Sequence, residues 1–202
     1  MRVRWFGDRA LLLECGDPAR VRAAYAEALR RRESGELSCT DIVPAARTLL
    51  LDGLDDPTGV SADVEDWPTV PGDSEEGDLV ELVVTYDGPD LESVAERCGL
   101  EVDEVVRRHR EAEYVVAFCG FAPGFAYLTG LPEELEVPRL EEPRSKVPPG
   151  SVGLAGTFTG IYPRSSPGGW QLIARTDERL WDVGREPPAL LAPGTRVRFT
   201  DG

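Results

Sequence analysis

Apolar and polar positions along this chain change rhythm twice, and the changes predict its elements. Near the N-terminus, Val3–Trp5 and Ala10–Glu14 are short apolar-rich runs joined at Gly7-Asp8, the pattern of two strands. Asp17 then precedes Pro18, a helix start with Asp as N-cap and Pro at the first helical position. Val21, Tyr25, Ala28 and Leu29 share one apolar face of this helix, which is expected to end near Arg32. Its arginines, Arg20, Arg22, Arg30, Arg31 and Arg32, read as a solvated face. Ala46–Leu51 reads as a buried strand.

The first change comes at residues 55–78. Asp55, Asp56, Asp63, Glu65, Asp66, Asp73, Glu75, Glu76 and Asp78 fall there with no lysine or arginine, and Pro57, Pro68, Pro71 and Gly72 interrupt it. Such a composition has little to bury and predicts a solvated linker. The domain boundary is therefore expected near 77, with a small N-terminal α/β domain over 1–77 and a second domain over 78–202.

In the second domain, Val80–Tyr86 is a strand, and Pro89–Arg97 and Val102–Ala112 are helices. Asp103 and Glu104 occupy the first turn of the latter, where the helix dipole favours acid. Tyr114–Phe118 is a further strand. From there the rhythm changes again. Val152–Ala155, Gly160–Tyr162, Trp170–Arg175, Leu180–Asp182 and Arg196–Thr200 are short runs between Gly/Pro turns, which predicts a closed or nearly closed β-barrel.

Charge changes the picture by exclusion. The 37 acidic and 22 basic residues leave a net charge of −15, which disfavours nucleic acid and anionic membrane as partners. Lys146 is the single lysine among the basic residues. Asp8 and Arg9 break the first apolar stretch, which argues against a signal peptide, so a cytoplasmic location is expected. Cys15, Cys39, Cys98 and Cys119 show no metal-ligand spacing and are expected to be reduced, and no metal site is expected.

Candidate chemistry is densest over 118–170. The runs FCGFAPGFAYL, PRLEEPRSKVPPGSV and GIYPRSSPGGW combine glycine, which allows close backbone approach, with proline, which stiffens loops. With Phe121, Phe125, Tyr127, Tyr162 and Trp170 they suit rigid aromatic loops around a cleft. They equally suit a tightly turned barrel without a ligand, and the pattern alone leaves both open. Arg144 leads as an anion contact because a guanidinium grips carboxylate or phosphate bidentately. Arg139 and Arg164 follow, in equally proline-stiffened positions. His109 falls on the apolar face of its helix. It is either a satisfied core residue or a general acid/base facing the cleft. Ser151 and Ser166 read as loop hydrogen-bonders, and Cys119 as an inert thiol.

The three runs resemble the family variously known as the 5-oxoprolinase B subunit, KipI-like or allophanate hydrolase subunit 1 family. The likeness extends to GDRALLLE at 7–14, VPAARTLLL at 43–51, VTYDGPDL at 84–91 and WDVGREPPALLAPGTRVRF at 181–199. It implies an α+β chain: an N-terminal α/β domain followed by a cyclophilin-like β-barrel. It also implies ATP-dependent cleavage of a small lactam, 5-oxo-L-proline, to L-glutamate, with partner subunits A and C. ATP, with Mg as its counter-ion, would be the cofactor, bound with or by a partner, because this chain has no P-loop. The expected site is His109 and Arg144 as catalytic residues. Phe121, Pro123, Gly124, Phe125, Tyr127, Arg139, Ser151, Tyr162, Arg164, Ser166, Gly168, Gly169 and Trp170 are expected to bind substrate. The same resemblance carries two other functions, inhibition of a sensor histidine kinase and a role in urea degradation. Three departures stand out. Ala126 and Pro149 replace the proline and alanine usual in the motifs. The acidic span after Leu51 takes the place of a second helix, so a reduced N-terminal domain is expected.

Overall fold

Leucines at alternate positions organise the N-terminal part of the chain. The structure, a computed structural model, describes residues 1–68 and 77–202, and the chain divides into two units, Met1–Glu76 and Gly77–Gly202. In the first unit, β1 (Arg2–Trp5), β2 (Leu11–Glu14), β3 (Asp41–Pro44) and β4 (Thr48–Asp52) form an antiparallel sheet in the order β1-β2-β4-β3. Leu11 pairs with Leu51 and Leu13 with Leu49, so all four point to one face and are fully buried. Helix α1 (Pro18–Ser34) lays Val21, Ala24 and Ala28 over them. Asp17 caps it by accepting from the Arg20 amide at 2.9 Å, and Gly35, at φ 79°, ends it in the left-handed conformation. On the outer face Arg30 and Arg31 share the Glu27 carboxylate and, chiefly through the Arg30 bond, hold its pKa to about 2.

The span after Leu51 departs from the linker expectation. Asp56 accepts from the Gly59 amide and Pro57 opens a short helix, α2 (Pro57–Asp63), followed by a 3-10 turn over Val64–Asp66. No α2 residue is buried, but Leu54, Val64 and Trp67 around it are driven into the leucine core. The Arg31 guanidinium lies 5.2 Å from the Trp67 ring centroid. Average composition hides this because three apolar residues among many acids suffice to fasten a segment. Residues 69–76 of the expected linker lie outside the described residues.

The second unit contains a seven-stranded sheet. β5 (Leu79–Val84), β6 (Tyr114–Cys119), β7 (Ala126–Thr129), β9 (Ser151–Ala155), β10 (Phe158–Ile161), β12 (Gln171–Arg175) and β13 (Arg196–Asp201) take the order β12-β9-β10-β7-β6-β13-β5. The β5–β13 pair is parallel and the others are antiparallel. Beyond β5 the chain turns onto β12. Thr85 and Arg175 exchange both main-chain hydrogen bonds, at 2.8 and 2.9 Å, and Gly88 and Asp90 donate to Ile173 and Leu172. The sheet thereby becomes a nearly closed barrel, and the chain is α+β as expected. β8 (Arg144–Val147) and β11 (Ser166–Gly168) form a separate ribbon. Helices α3 (Leu91–Cys98) and α4 (Val102–Glu111) contribute Leu91, Val94, Ala95 and Val105 to the barrel core.

One strand expectation is corrected. Leu180–Asp182 is a loop with a single bridge between Trp181 and Ala189: the Leu190 amide donates to the Leu180 carbonyl and the Asp182 amide to the Pro188 carbonyl, a pairing too brief for a strand, and the Arg185 guanidinium ties the loop to the carbonyls of Arg179, Leu180 and Pro188. β3, β7, β8 and β11 were not expected. β8 and β11 are short and polar, and β7 lies within a run that otherwise reads as loop.

The barrel interior also decides His109. Its side chain is fully buried, with the ring 4.7 Å from Phe199 and 5.3 Å from Tyr114. Thr159 Oγ1 donates to the Gly153 carbonyl at 3.2 Å, so it accepts from His109 Nε2 at 3.1 Å. His109 Nδ1 is left to accept from the Tyr86 hydroxyl at 2.8 Å. Both nitrogens are satisfied by a neutral ring, and burial pulls the pKa down to about 3. The candidate role as a cleft acid or base is therefore corrected: His109 is a core residue with both ring nitrogens occupied.

Three measurements check these assignments. Trp67→Ala is expected to lower unfolding free energy by about 3–5 kcal/mol, and Asp17→Ala by ~1 kcal/mol, both read from denaturant midpoints. An unfolded His titrates near ~6.5, above the folded value of about 3. The unfolded chain therefore binds the extra proton, and stability falls as pH drops below ~6.5 by up to ~1.4 kcal/mol per unit. His109→Gln is expected to flatten that part of the stability–pH curve relative to the unsubstituted chain.

Candidate functional site

The run Gly120–Phe125 makes two successive tight turns. The Ala122 amide donates to the Gly120 carbonyl at 2.7 Å across a three-residue turn that places Phe121 at φ 67°. The Phe125 amide donates to the Ala122 carbonyl at 2.9 Å across Pro123 and Gly124, and Gly124 supplies the positive φ (81°) that a type II turn needs at that position. A Cβ on Gly124 would also come within 2.8 Å of the Trp181 Cβ. The outcome is one ring in and one out: Phe125 is 1% exposed and Phe121 61%.

Beneath this loop the motif aromatics form a second core. Phe125 lies 5.2 Å from Tyr162, 5.4 Å from Trp170 and 5.0 Å from Tyr127, and Tyr127 stacks on Phe118 at 4.3 Å. A Cβ on Gly168 would fall 2.3 Å from the Tyr162 hydroxyl, and one on Gly160 3.0 Å from the Trp170 ring. These glycines let the rings close onto backbone. Phe125, Tyr162 and Trp170 are therefore buried, which corrects their expected place as walls of an open cleft. They support the loops from inside, while Phe121, Pro123, Arg139 and Arg164 are exposed and Tyr127 is half-buried.

The charged part of the site centres on an acid that the sequence reading missed. Asp90 is buried and N-terminal to α3, yet its side chain makes no capping bond. Instead Oδ2 accepts from the Leu172 amide at 2.6 Å, and Oδ1 accepts from Arg144 Nη2 at 2.5 Å. Arg144, opposite Gly168 across the β8–β11 ribbon, also donates from Nη1 to the Trp170 carbonyl at 3.4 Å. Its charge is thus met from within the unit. The available signal was an acid just before a helix, in the VTYDGPDL run.

Arg139 differs from Arg144. It is exposed, has no ion pair among the described residues, and lies close enough to Tyr127 and Tyr162 to offset part of the upward push that burial gives both phenols. For Tyr162 the Trp170 main chain acts in the same direction. The segment carrying Arg139 is pinned. The Leu140 amide donates to the Gly169 carbonyl at 2.7 Å, and Gln171 Nε2 donates to the Pro138 carbonyl at 3.2 Å. Arg139 is therefore an exposed guanidinium without an ion pair among the described residues, carried on a pinned stretch of backbone and suited to a carboxylate or a phosphate. Arg164 also lacks an ion pair among the described residues but has no such setting.

The remaining candidates have structural roles. The Ser151 hydroxyl donates to the Pro148 carbonyl at 2.9 Å and shapes a turn. Ser166 is corrected: its Oγ is buried and makes no hydrogen bond among the described residues, so it is not the loop hydrogen-bonder that was expected. Gly169 is seated beside Pro143. Cys119 Sγ lies 3.3 Å from the Leu191 carbonyl, burial pushes its thiol up to about 11, and all four cysteines are free. His109 sits in the barrel interior and is not brought together with the arginines. In the first unit, a cavity of about 300 Å³ is lined by Arg31, Asp55, Asp56, Asp63 and Trp67, among others. Its carboxylates are committed: Asp55 to Arg9, Asp63 to Arg31 and Asp56 to the Gly59 amide.

Comparison with known proteins agrees with this architecture. The family described as "Carboxyltransferase domain, subdomain C and D" matches residues 1–191. The 5-oxoprolinase B subunit of Escherichia coli O157:H7 is 53% identical over 127 residues, which is 61% of this chain and 58% of that protein. The 5-oxoprolinase B subunit of Bacillus subtilis (strain 168) is 48% identical over 124 residues, 60% of this chain and 52% of that protein. The match thus spans a little over half the length of these curated relatives. Among solved structures, TTHA0988 is 35% identical with a TM-score of 0.81, and the match covers 100% of this chain but 40% of that one. PH0987 of Pyrococcus horikoshii is 36% identical with a TM-score of 0.60, covering 100% of this chain and 97% of that one. The K. lactis urea amidolyase is 17% identical with a TM-score of 0.75, covering 99% of this chain and 15% of that one, a likeness of fold. The chain therefore belongs to the family of the carboxyltransferase domain, subdomain C and D, and within it to the B-type proteins of 5-oxoprolinase.

Proposed function

We propose that this chain is the B subunit of an ATP-dependent 5-oxoprolinase, acting with subunits A and C to convert 5-oxo-L-proline, ATP and water to L-glutamate, ADP and phosphate. The observation that carries the reading is the 53% identity to a protein named as the B subunit of 5-oxoprolinase. The exposed Arg139 guanidinium, on a pinned stretch of backbone, adds a chemical reason. A lactam carbonyl is a poor electrophile, and transfer of phosphate to its oxygen would create a leaving group. Both the substrate carboxylate and the transferred phosphoryl group need a positioned cation. Arg139 supplies one beside the Tyr127 and Tyr162 phenols. Arg144, held by Asp90, fixes the ribbon and β12 beneath it.

In this reading ATP is a co-substrate. The chain has no P-loop lysine, so the phosphates would be held by guanidinium groups and loop amides here and by groups on a partner. Magnesium would arrive on ATP. Among the described residues no three His, Cys, Asp or Glu side chains gather as ligands. The name B subunit carried by the relatives supports a multi-subunit enzyme, within which subunits A and C are the proposed partners; in TTHA0988 this fold occupies 40% of one longer chain. A cytoplasmic location fits the reaction, and no helix among the described residues is long and apolar enough to cross a membrane. The urea-degradation alternative rests on fold likeness at 17% identity and is not adopted.

Reconstitution of this chain with subunits A and C, assayed for ATP-dependent release of glutamate, tests the reading. Omission of this chain is expected to abolish turnover, and turnover without it would refute the proposal. Arg139→Ala is expected to raise the KM for 5-oxoproline or ATP by about 10- to 100-fold, the worth of one charge-assisted contact of ~1.5–3 kcal/mol. Asp90→Ala, by contrast, leaves Arg144 uncompensated in a largely buried position. It is expected to cost about 3 kcal/mol of folding stability, read as a lowered denaturant midpoint.

A further inference from the structure

Phe121, Trp181 and Val183 are 61%, 36% and 88% exposed, although each is large and apolar. They stand on two abutting loops, since Gly124 of the Phe121 loop packs directly on Trp181. Neither loop is slack. The Phe121 turn is closed by the hydrogen bonds described above. In the second loop Asp182 accepts from the Gly184 amide and from Arg179, both at 2.9 Å, while Asp182 donates its amide to Pro188 at 3.0 Å. The Arg185 guanidinium fills the interior. Rigid presentation of an exposed apolar group is the property of a docking surface, because little ordering entropy is lost when it is covered.

Phe121 carries a second sign. Its φ of 67° places an aromatic residue in the left-handed region, a conformation that glycine adopts without strain. What phenylalanine adds there is a ring that rests edge-on against Phe125 at 5.4 Å and Tyr162 at 6.4 Å and leaves the rest of its surface to solvent. The chain's net charge of −15 opposes association of two copies and favours a different partner, apolar at its centre and neutral or basic at its rim. TTHA0988 indicates where such a partner comes from. There a unit of this fold shares one polypeptide with a longer stretch, whereas PH0987 matches this chain over nearly its whole length.

We infer that Phe121, Trp181 and Val183 form the apolar centre of the surface by which this chain docks onto a polypeptide corresponding to the rest of the TTHA0988 chain. This inference rests on the reading of the chain as one component of a multi-subunit enzyme. The Phe121 ring enters an apolar hollow on that partner, and Val183 and Trp181 seal its edge.

The test mixes the full chain with the purified protein of the same genome that matches the rest of the TTHA0988 chain and measures binding by calorimetry. Phe121→Gly removes the ring while suiting the backbone, so its Tm is expected to stay level or rise as its Kd weakens by about 30-fold or more. Val183→Asp is expected to weaken binding similarly, and Val43→Asp, an exposed site in the first unit, to leave it unchanged. Normal binding by both Phe121→Gly and Val183→Asp overturns the surface but leaves the reading of the chain as a 5-oxoprolinase component intact. Failure of the unsubstituted chain to bind overturns both. Dimerisation of the chain alone, abolished by Phe121→Gly, would assign the surface to a second copy and overturn the inference. A marked fall in Tm for Phe121→Gly would make the ring a packing element and would also overturn it.

Discussion

Asp90 ties together parts of the second unit that are far apart in sequence. One carboxylate oxygen takes the Leu172 amide of β12, and the other takes Arg144 of the separate ribbon. The same residue's amide and carbonyl help join the chain after β5 to β12 and start α3. Barrel closure, helix start and ribbon position are thus set by one buried acid. Burying a carboxylate is costly unless it is paired and hydrogen-bonded, and here both oxygens are used. The ribbon and β12 in turn frame the loops that carry Arg139.

Those loops separate support from contact by burial. Gly160 and Gly168 let Tyr162 and Trp170 press against backbone, and the rings become a small core. Among the motif residues left accessible are the Arg139 and Arg164 guanidinium groups, Pro123 and the exposed ring of Phe121. This division gives the surface its chemistry. An exposed cation without an ion pair suits a small anion, and a strained, largely exposed aromatic suits another protein. His109, the only histidine, is excluded from both because the barrel closes around it.

Much of the fold was legible along the chain because its signals are local. The Asp17-Pro18 start, the alternating leucines of β2 and β4, and the Gly/Pro-spaced strands of the barrel each follow from neighbouring residues. Local averaging also misled. The acidity of 55–68 concealed Val64 and Trp67, whose burial depends on a sheet formed by residues distant in sequence. Leu180–Asp182 looked like a strand, but its pairing is confined to one bridge with Ala189 inside a tight loop that Arg185 ties together.

The candidate site divides in the same way. By itself the sequence determined that the motif loops are stiff, glycine-spaced and aromatic, and that arginine rather than lysine must meet an anion, because composition and spacing set backbone freedom and available charge. Only the tertiary structure decided which arginine is spent on Asp90 and which remains open, which rings turn inward, and that His109 is sealed in. Those outcomes depend on pairings across many residues of chain, such as Asp90 with Arg144 and His109 with Thr159. Burial and charge compensation are properties of such pairings and of no single stretch of sequence.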